Sequence, residues 1–175
     1  MDESVFPEEL KPLIAFHGHY CPGILTGWRA SKLAMKLLGA TRDRDEEMVA
    51  IVENDACGAD AIQFVLGCTF GKGNFHFRDY GKHVFTVFRR SDGKGVRLSL
   101  KAPPEGLTRE ESARRMIEER DENLFTVGEP LEPIPDMAEI RNSIVCSRCG
   151  ERVMETRAKM ARDGSPVCIP CSAAE

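Results

Sequence analysis

Residues 83–101 read HVFTVFRRSDGKGVRLSLK. In the second half Val96, Leu98 and Leu100 alternate with Arg97, Ser99 and Lys101. A period of two buries one face of a strand and wets the other. His83 to Arg90 supplies the facing strand, and Ser91-Asp92-Gly93-Lys94 the turn, so the stretch predicts an antiparallel hairpin. Upstream, Ile24, Leu25, Trp28, Leu33, Leu37 and Leu38 recur near helical spacing, which predicts a helix from Pro22 to Leu38 that stops at Gly39. A shorter helix over Pro7–Phe16 carries Pro12 inside it. Met48–Glu53 reads as a short buried strand. Gly58–Leu66 reads as a helix with Ile62, Val65 and Leu66 on one side. Downstream, Thr108 and Glu111 form a capping box for a helix reaching about Arg120, with Glu110/Arg114 and Glu111/Arg115 as i,i+4 pairs. Helices and a hairpin, without regular βαβ alternation, define an α+β core.

The chain has 175 residues, 42% hydrophobic and 30% charged, which is room for one globular domain and a small appendage. No apolar run approaches the roughly 20 residues of a membrane span. The start, MDESVFPEELK, lacks the basic-then-apolar pattern of a signal peptide, so a cytoplasmic protein is expected. The net charge of −4 argues against a protein that holds nucleic acid by phosphate neutralisation.

Three segments follow. Residues 1–127 carry the periodic patterns of the α+β core. Residues 128–142 form a proline-rich linker, with Pro130, Pro133 and Pro135 favouring an extended strap. Residues 143–175 hold four of the seven cysteines. These are Cys146-x2-Cys149 and Cys168-x2-Cys171. Each CxxC loop aims two sulfurs at one point, and two loops complete a tetrahedron around Zn²⁺, as in a zinc ribbon or treble clef. Asp163-Gly164 marks a turn in a small hairpin expected from Val153 to Val167. Four protein ligands leave no open position, so this zinc is structural.

In the front half the informative string is FHGHYCPG, residues 16–23. Cys21 stands at the start of the long helix, where the helix dipole favours thiolate, and His17 and His19 lie beside it. Cys57 precedes the helix at Gly58 in the same way, with the carboxylates of Asp55 and Asp60 near enough in sequence to ligate or to support a ligand. Thiolates beside imidazoles bind a zinc-like ion or act as nucleophiles, which makes Cys21, Cys57 and His19 the candidate catalytic groups. The plainer alternative has a histidine capping a helix and Cys57 packed in the core. The sulfurs of Cys21 and Cys57 are expected within a few ångströms of each other if one metal joins them. Cys68 reads as a small hydrophobe. Thr69–Asn74, TFGKGN, lacks the spacing of a phosphate loop, leaving Lys72 as a candidate for an anionic group. His76 and His83 read as structural or surface residues.

Together FHGHYCPGILTGWRA, ENDACGADAIQFVLGCTFGKGNF with DYGKHVF, and VCSRCGERVMETRAKMARDGSPVCIPC resemble the FmdE family of formylmethanofuran dehydrogenase components over nearly the whole chain. The resemblance implies an α+β core with a C-terminal treble-clef zinc finger, usually as a homodimer. It implies a core site of His17, His19, Cys21 and Cys57, and zinc at Cys146, Cys149, Cys168 and Cys171. It implies an accessory role in molybdenum- or tungsten-dependent one-carbon metabolism and methanogenesis, with formylmethanofuran dehydrogenase subunits as partners. Relatives also occur in organisms without methane formation, so family does not fix reaction. Two other classes stand beside this reading: a small thiolate- or metal-dependent enzyme, and a regulatory zinc-finger protein, against which the composition speaks.

Overall fold

The computed structural model describes residues 6–173. It divides into two compact units, one running to Met137 and one starting at Ala138. Among the described residues no helix is long and apolar enough to cross a membrane.

The first unit is a five-stranded sheet with helices on one face. The strands are β1 (Met48–Val52), β2 (Phe75–Phe77), β3 (Val84–Arg89), β4 (Gly95–Leu100) and β5 (Phe125–Gly128), in the order β2-β1-β3-β4-β5. Only β1 and β2 run parallel; the other neighbours are antiparallel. The hairpin expected at 83–101 is β3–β4, in the register Thr86 opposite Arg97. The mixed sheet with packed helices is an α+β fold.

The helices are α1 (Lys11–His17), α2 (Pro22–Leu38), α3 (Gly58–Ala61), α4 (Arg109–Glu118) and α5 (Asp121–Leu124). α2 has the bounds its apolar spacing predicts. Pro22 opens it with a fixed φ, and Gly39 closes it in left-handed conformation. Thr108 and Glu111 form the expected capping box of α4. The helix expected over 58–66 is one α-turn, α3, that continues as a wider π turn over Ile62–Leu66. Ile24, Leu25, Leu33, Ala50, Val52, Phe85, Val87, Leu98 and Phe125 meet in the core between α2 and the sheet. Cys68 joins that core, and burial pushes its thiol up to about 12.

β1 is buried on both faces. Its second face, with Val49 and Ile51, packs together with Phe88 of β3 against Ile134. The proline-rich stretch up to Met137 is therefore an outer layer of the core and not a free linker from residue 128. It is fastened by an Arg78–Glu132 ion pair at 2.7 Å and by Arg90, which donates to the carbonyl of Pro135 at 2.7 Å.

The second unit holds two hairpins, β6 (Ser143–Val145) with β7 (Arg152–Met154), and β8 (Ala158–Met160) with β9 (Pro166–Cys168), followed by α6 (Ile169–Ser172). The single hairpin expected between Val153 and Val167 is thus divided. A 3₁₀ turn at Glu155–Arg157 separates β7 from β8, and only β8 and β9 pair around Asp163-Gly164. Cys146, Ala161, Val167 and Cys168 are its buried residues.

Candidate metal centres

The first centre lies in the core unit. α1 ends at His17, and Gly18, at φ 93°, turns the chain where a side chain would be strained. Three residues later Cys21 is the N-cap of α2, in extended conformation. Its Sγ accepts a hydrogen bond from the amide of Ile24 at 3.3 Å, which caps the first turn of the helix. Cys57 arrives from the other side, on the loop after β1. Asn54 shapes that loop: its amide donates to the carbonyl of Lys82 at 2.8 Å, and its Oδ1 accepts from the amide of Ala56 at 3.2 Å.

These elements bring a ring nitrogen of His17 and the sulfurs of Cys21 and Cys57 within 4.8 Å of one another. The separation expected for two sulfurs sharing a metal is met. Burial first, and the neighbouring Cys21 sulfur next, hold the Cys57 thiol above its ordinary pKa. His17 Nδ1 lies 2.7 Å from Asp60 Oδ2. Its Nε2 is buried and has no hydrogen-bond partner. A buried, unpartnered nitrogen in a ring that meets two sulfurs is a costly arrangement unless something engages it, and a borderline metal ion does.

Not every expected residue joins. His19 is exposed and stands outside the three-donor group; its ring packs on that of His17 with centroids 4.7 Å apart. Lys72 is directed elsewhere. Its ammonium pairs with Asp43, whose side chain is fully buried, and donates to the carbonyl of Arg44. A lysine whose charge compensates a buried carboxylate is not free for a ligand anion. Asp55 is exposed.

Gly23 was legible only as a helix opener, yet the site depends on it. A Cβ there would lie 3.1 Å from Cys57 Cβ and within 3.8 Å of both sulfurs. No single-residue signal reveals such a role, because the two cysteines are 36 positions apart.

The second centre is in the C-terminal unit. The Cys146–Cys149 knuckle joins β6 to β7, while Cys168 ends β9 and Cys171 lies in α6. All four sulfurs lie within 4.8 Å of one another. The amide of Cys168 donates to Cys146 Sγ at 3.3 Å. Four sulfurs with amide donors fit a tetrahedral metal and fit a zinc finger.

The fold and the two clusters define an α+β protein with two groups of side chains able to hold a metal ion. Residues 16–147 match the family described as FmdE, molybdenum formylmethanofuran dehydrogenase operon. The chain is 33% identical over an alignment of 190 positions, gaps included, to a probable S-adenosyl-L-methionine-binding protein of Archaeoglobus fulgidus, covering 90% of this chain and 50% of that protein. It thus spans about half the length of the curated relative it matches. The crystal structure of a tungsten formylmethanofuran dehydrogenase FmdE-like protein from Syntrophus aciditrophicus superposes with a TM-score of 0.72 at 25% identity, over 96% of this chain and 92% of that one. The chain belongs to the FmdE family.

Proposed function

We propose that the chain is a cytoplasmic protein carrying two zinc-class ions, one structural and one facing a ligand. The structural ion sits on Cys146, Cys149, Cys168 and Cys171 in a treble-clef finger. The other is held in the core by His17, Cys21 and Cys57. Three protein donors leave a tetrahedral ion one further position, the pattern of a site that binds an outside ligand. Such an ion supplies Lewis acidity at that position. The observation that carries this reading is the meeting of a His17 ring nitrogen with two sulfurs, in a ring whose Nε2 is buried and unpartnered.

Membership of the FmdE family supports a role in molybdenum- or tungsten-dependent one-carbon metabolism, as an accessory to formylmethanofuran dehydrogenase. The same three-donor set also favours a second reading, a small metal-dependent enzyme with Cys21 and Cys57 as ligands to the reactive ion. The metal stoichiometry is the same in both.

Anaerobically purified protein is expected to contain two metal ions per chain by elemental analysis. Cys21→Ser/Cys57→Ser should contain one, and a chain truncated before Ser143 should lose the other. One ion in the wild type, unchanged in the double variant, would remove the core site. We further propose a homodimer. The finger has few buried residues, and Val145, Met154, Met160 and Ile169 are exposed on it, apolar area that a second copy would cover. Light scattering should return twice the chain mass at micromolar concentration; a monomer mass would refute this.

A further inference from the structure

Asp60 holds a place in the core that the ligand set alone does not explain. It lies three residues after Cys57, in the first turn of α3, the element that Cys57 immediately precedes. Its Oδ2 is 2.7 Å from His17 Nδ1, across 43 positions of sequence. The His17 side chain is only 10% exposed, whereas that of Asp60 is 43% exposed. A surface carboxylate has reached inward to one nitrogen of a buried ring. The other nitrogen, Nε2, is buried without a partner. The ring is also packed on one side by His19, at a centroid distance of 4.7 Å.

We infer that Asp60 is the positioning residue of the core metal site: it holds the proton of neutral His17 on Nδ1 and so keeps the Nε2 lone pair aimed at the ion. This deepens the metal-site reading above and rests on it. The chemistry is direct. A carboxylate only accepts, so the hydrogen in this contact belongs to Nδ1. A neutral imidazole has one proton, so Nε2 is the base. An anionic acceptor raises the donor strength of the coordinating nitrogen and fixes the ring's orientation. His19, exposed and packed on the ring at a tilt of 38°, contacts it without belonging to the three-donor group.

Two measurements on the full chain test this. In the metal-free protein at pH 8, long-range ¹H–¹⁵N spectra report which nitrogen of His17 carries hydrogen. The Nδ1–H tautomer is expected in the wild type, and its loss in Asp60→Ala. Titration with Co²⁺ then reads each centre by its charge-transfer bands. Asp60→Ala should weaken the core centre by roughly 10- to 100-fold and leave the finger unchanged, and Asp60→Asn, which keeps an acceptor, should recover part of that loss. An Nε2–H tautomer in the wild type would overturn the proposal, and needs no variant to fold. So would wild-type Co²⁺ affinity in a folded Asp60→Ala. If the wild type takes up only one Co²⁺ per chain, and Cys21→Ser/Cys57→Ser takes up the same, the metal-site reading has failed and the proposal falls with it. Two ions in the wild type with an indifferent Asp60 would instead refute the positioning role alone.

Discussion

At the finger the four cysteines are not equivalent. The amides of Cys149 and Cys168 pull the Cys146 thiol down to about 6. The Cys168 sulfur first, and burial next, push Cys171 up to about 12. Cys149 is lowered by the Glu151 amide, but the Cys146 sulfur and burial outweigh it and leave it raised. Without metal the cluster therefore favours one thiolate and opposes more beside it. A metal replaces the protons on at least Cys149 and Cys171. The sign follows: at neutral pH affinity rises with pH, because two or more protons leave per ion bound. Each unit of acidification should weaken binding by about 100-fold or more, and more steeply once Cys146 also protonates below about 6. Competition with a chromophoric chelator between about pH 8 and pH 5 measures this; a slope below two protons per ion would refute it. The four ligands were legible because a CxxC pair brings its own geometry. The core ligands were legible one at a time, as a cysteine beside histidines and a cysteine before a glycine. Their meeting was expected only on the condition that one metal joins them, and the exclusion of His19 was not legible, because it depends on how α1, α2 and α3 pack.

Among the elements, α2 and α3 decide where Cys57 stands. Gly27 faces α3 so closely that a Cβ would lie 2.2 Å from the carbonyl oxygen of Gly58 and 2.8 Å from Ala61 Cβ. The obstacle is backbone, so α3 itself would have to move. Gly27→Ala should cost about 1–3 kcal/mol by overpacking and should also lower core metal content, although it touches no ligand. Thermal unfolding and elemental analysis check both; full core occupancy in a destabilised variant would show that Cys57 is positioned by its loop alone. In sequence Gly27 only weakens a helix. α2 was readable to the residue because its signals are strong and local: Pro22 and Gly39 at the ends and apolar spacing between. β2 and β5 were not, since segments of three and four residues carry too little periodicity. Their strand character comes from pairing with β1 and β4.

Within the core unit as a whole, the proline-rich stretch was the least legible part. Proline density predicts an extended backbone, and it does not say whether that backbone is solvated or packed. The deciding residue is Ile134, one apolar side chain among prolines, which meets Val49, Ile51 and Phe88. Met48-Val49-Ala50-Ile51-Val52 is uncharged, β-prone and free of proline. Such a segment is able to self-associate between chains once uncovered. Ile134 thus covers the outer face of β1 and β3. Ile134→Asp should lower stability by about 1–2 kcal/mol through lost burial. Its sharper consequence is colloidal: the variant should bind thioflavin T and precipitate on mild warming at concentrations where the native protein stays clear, while still holding metal in the core.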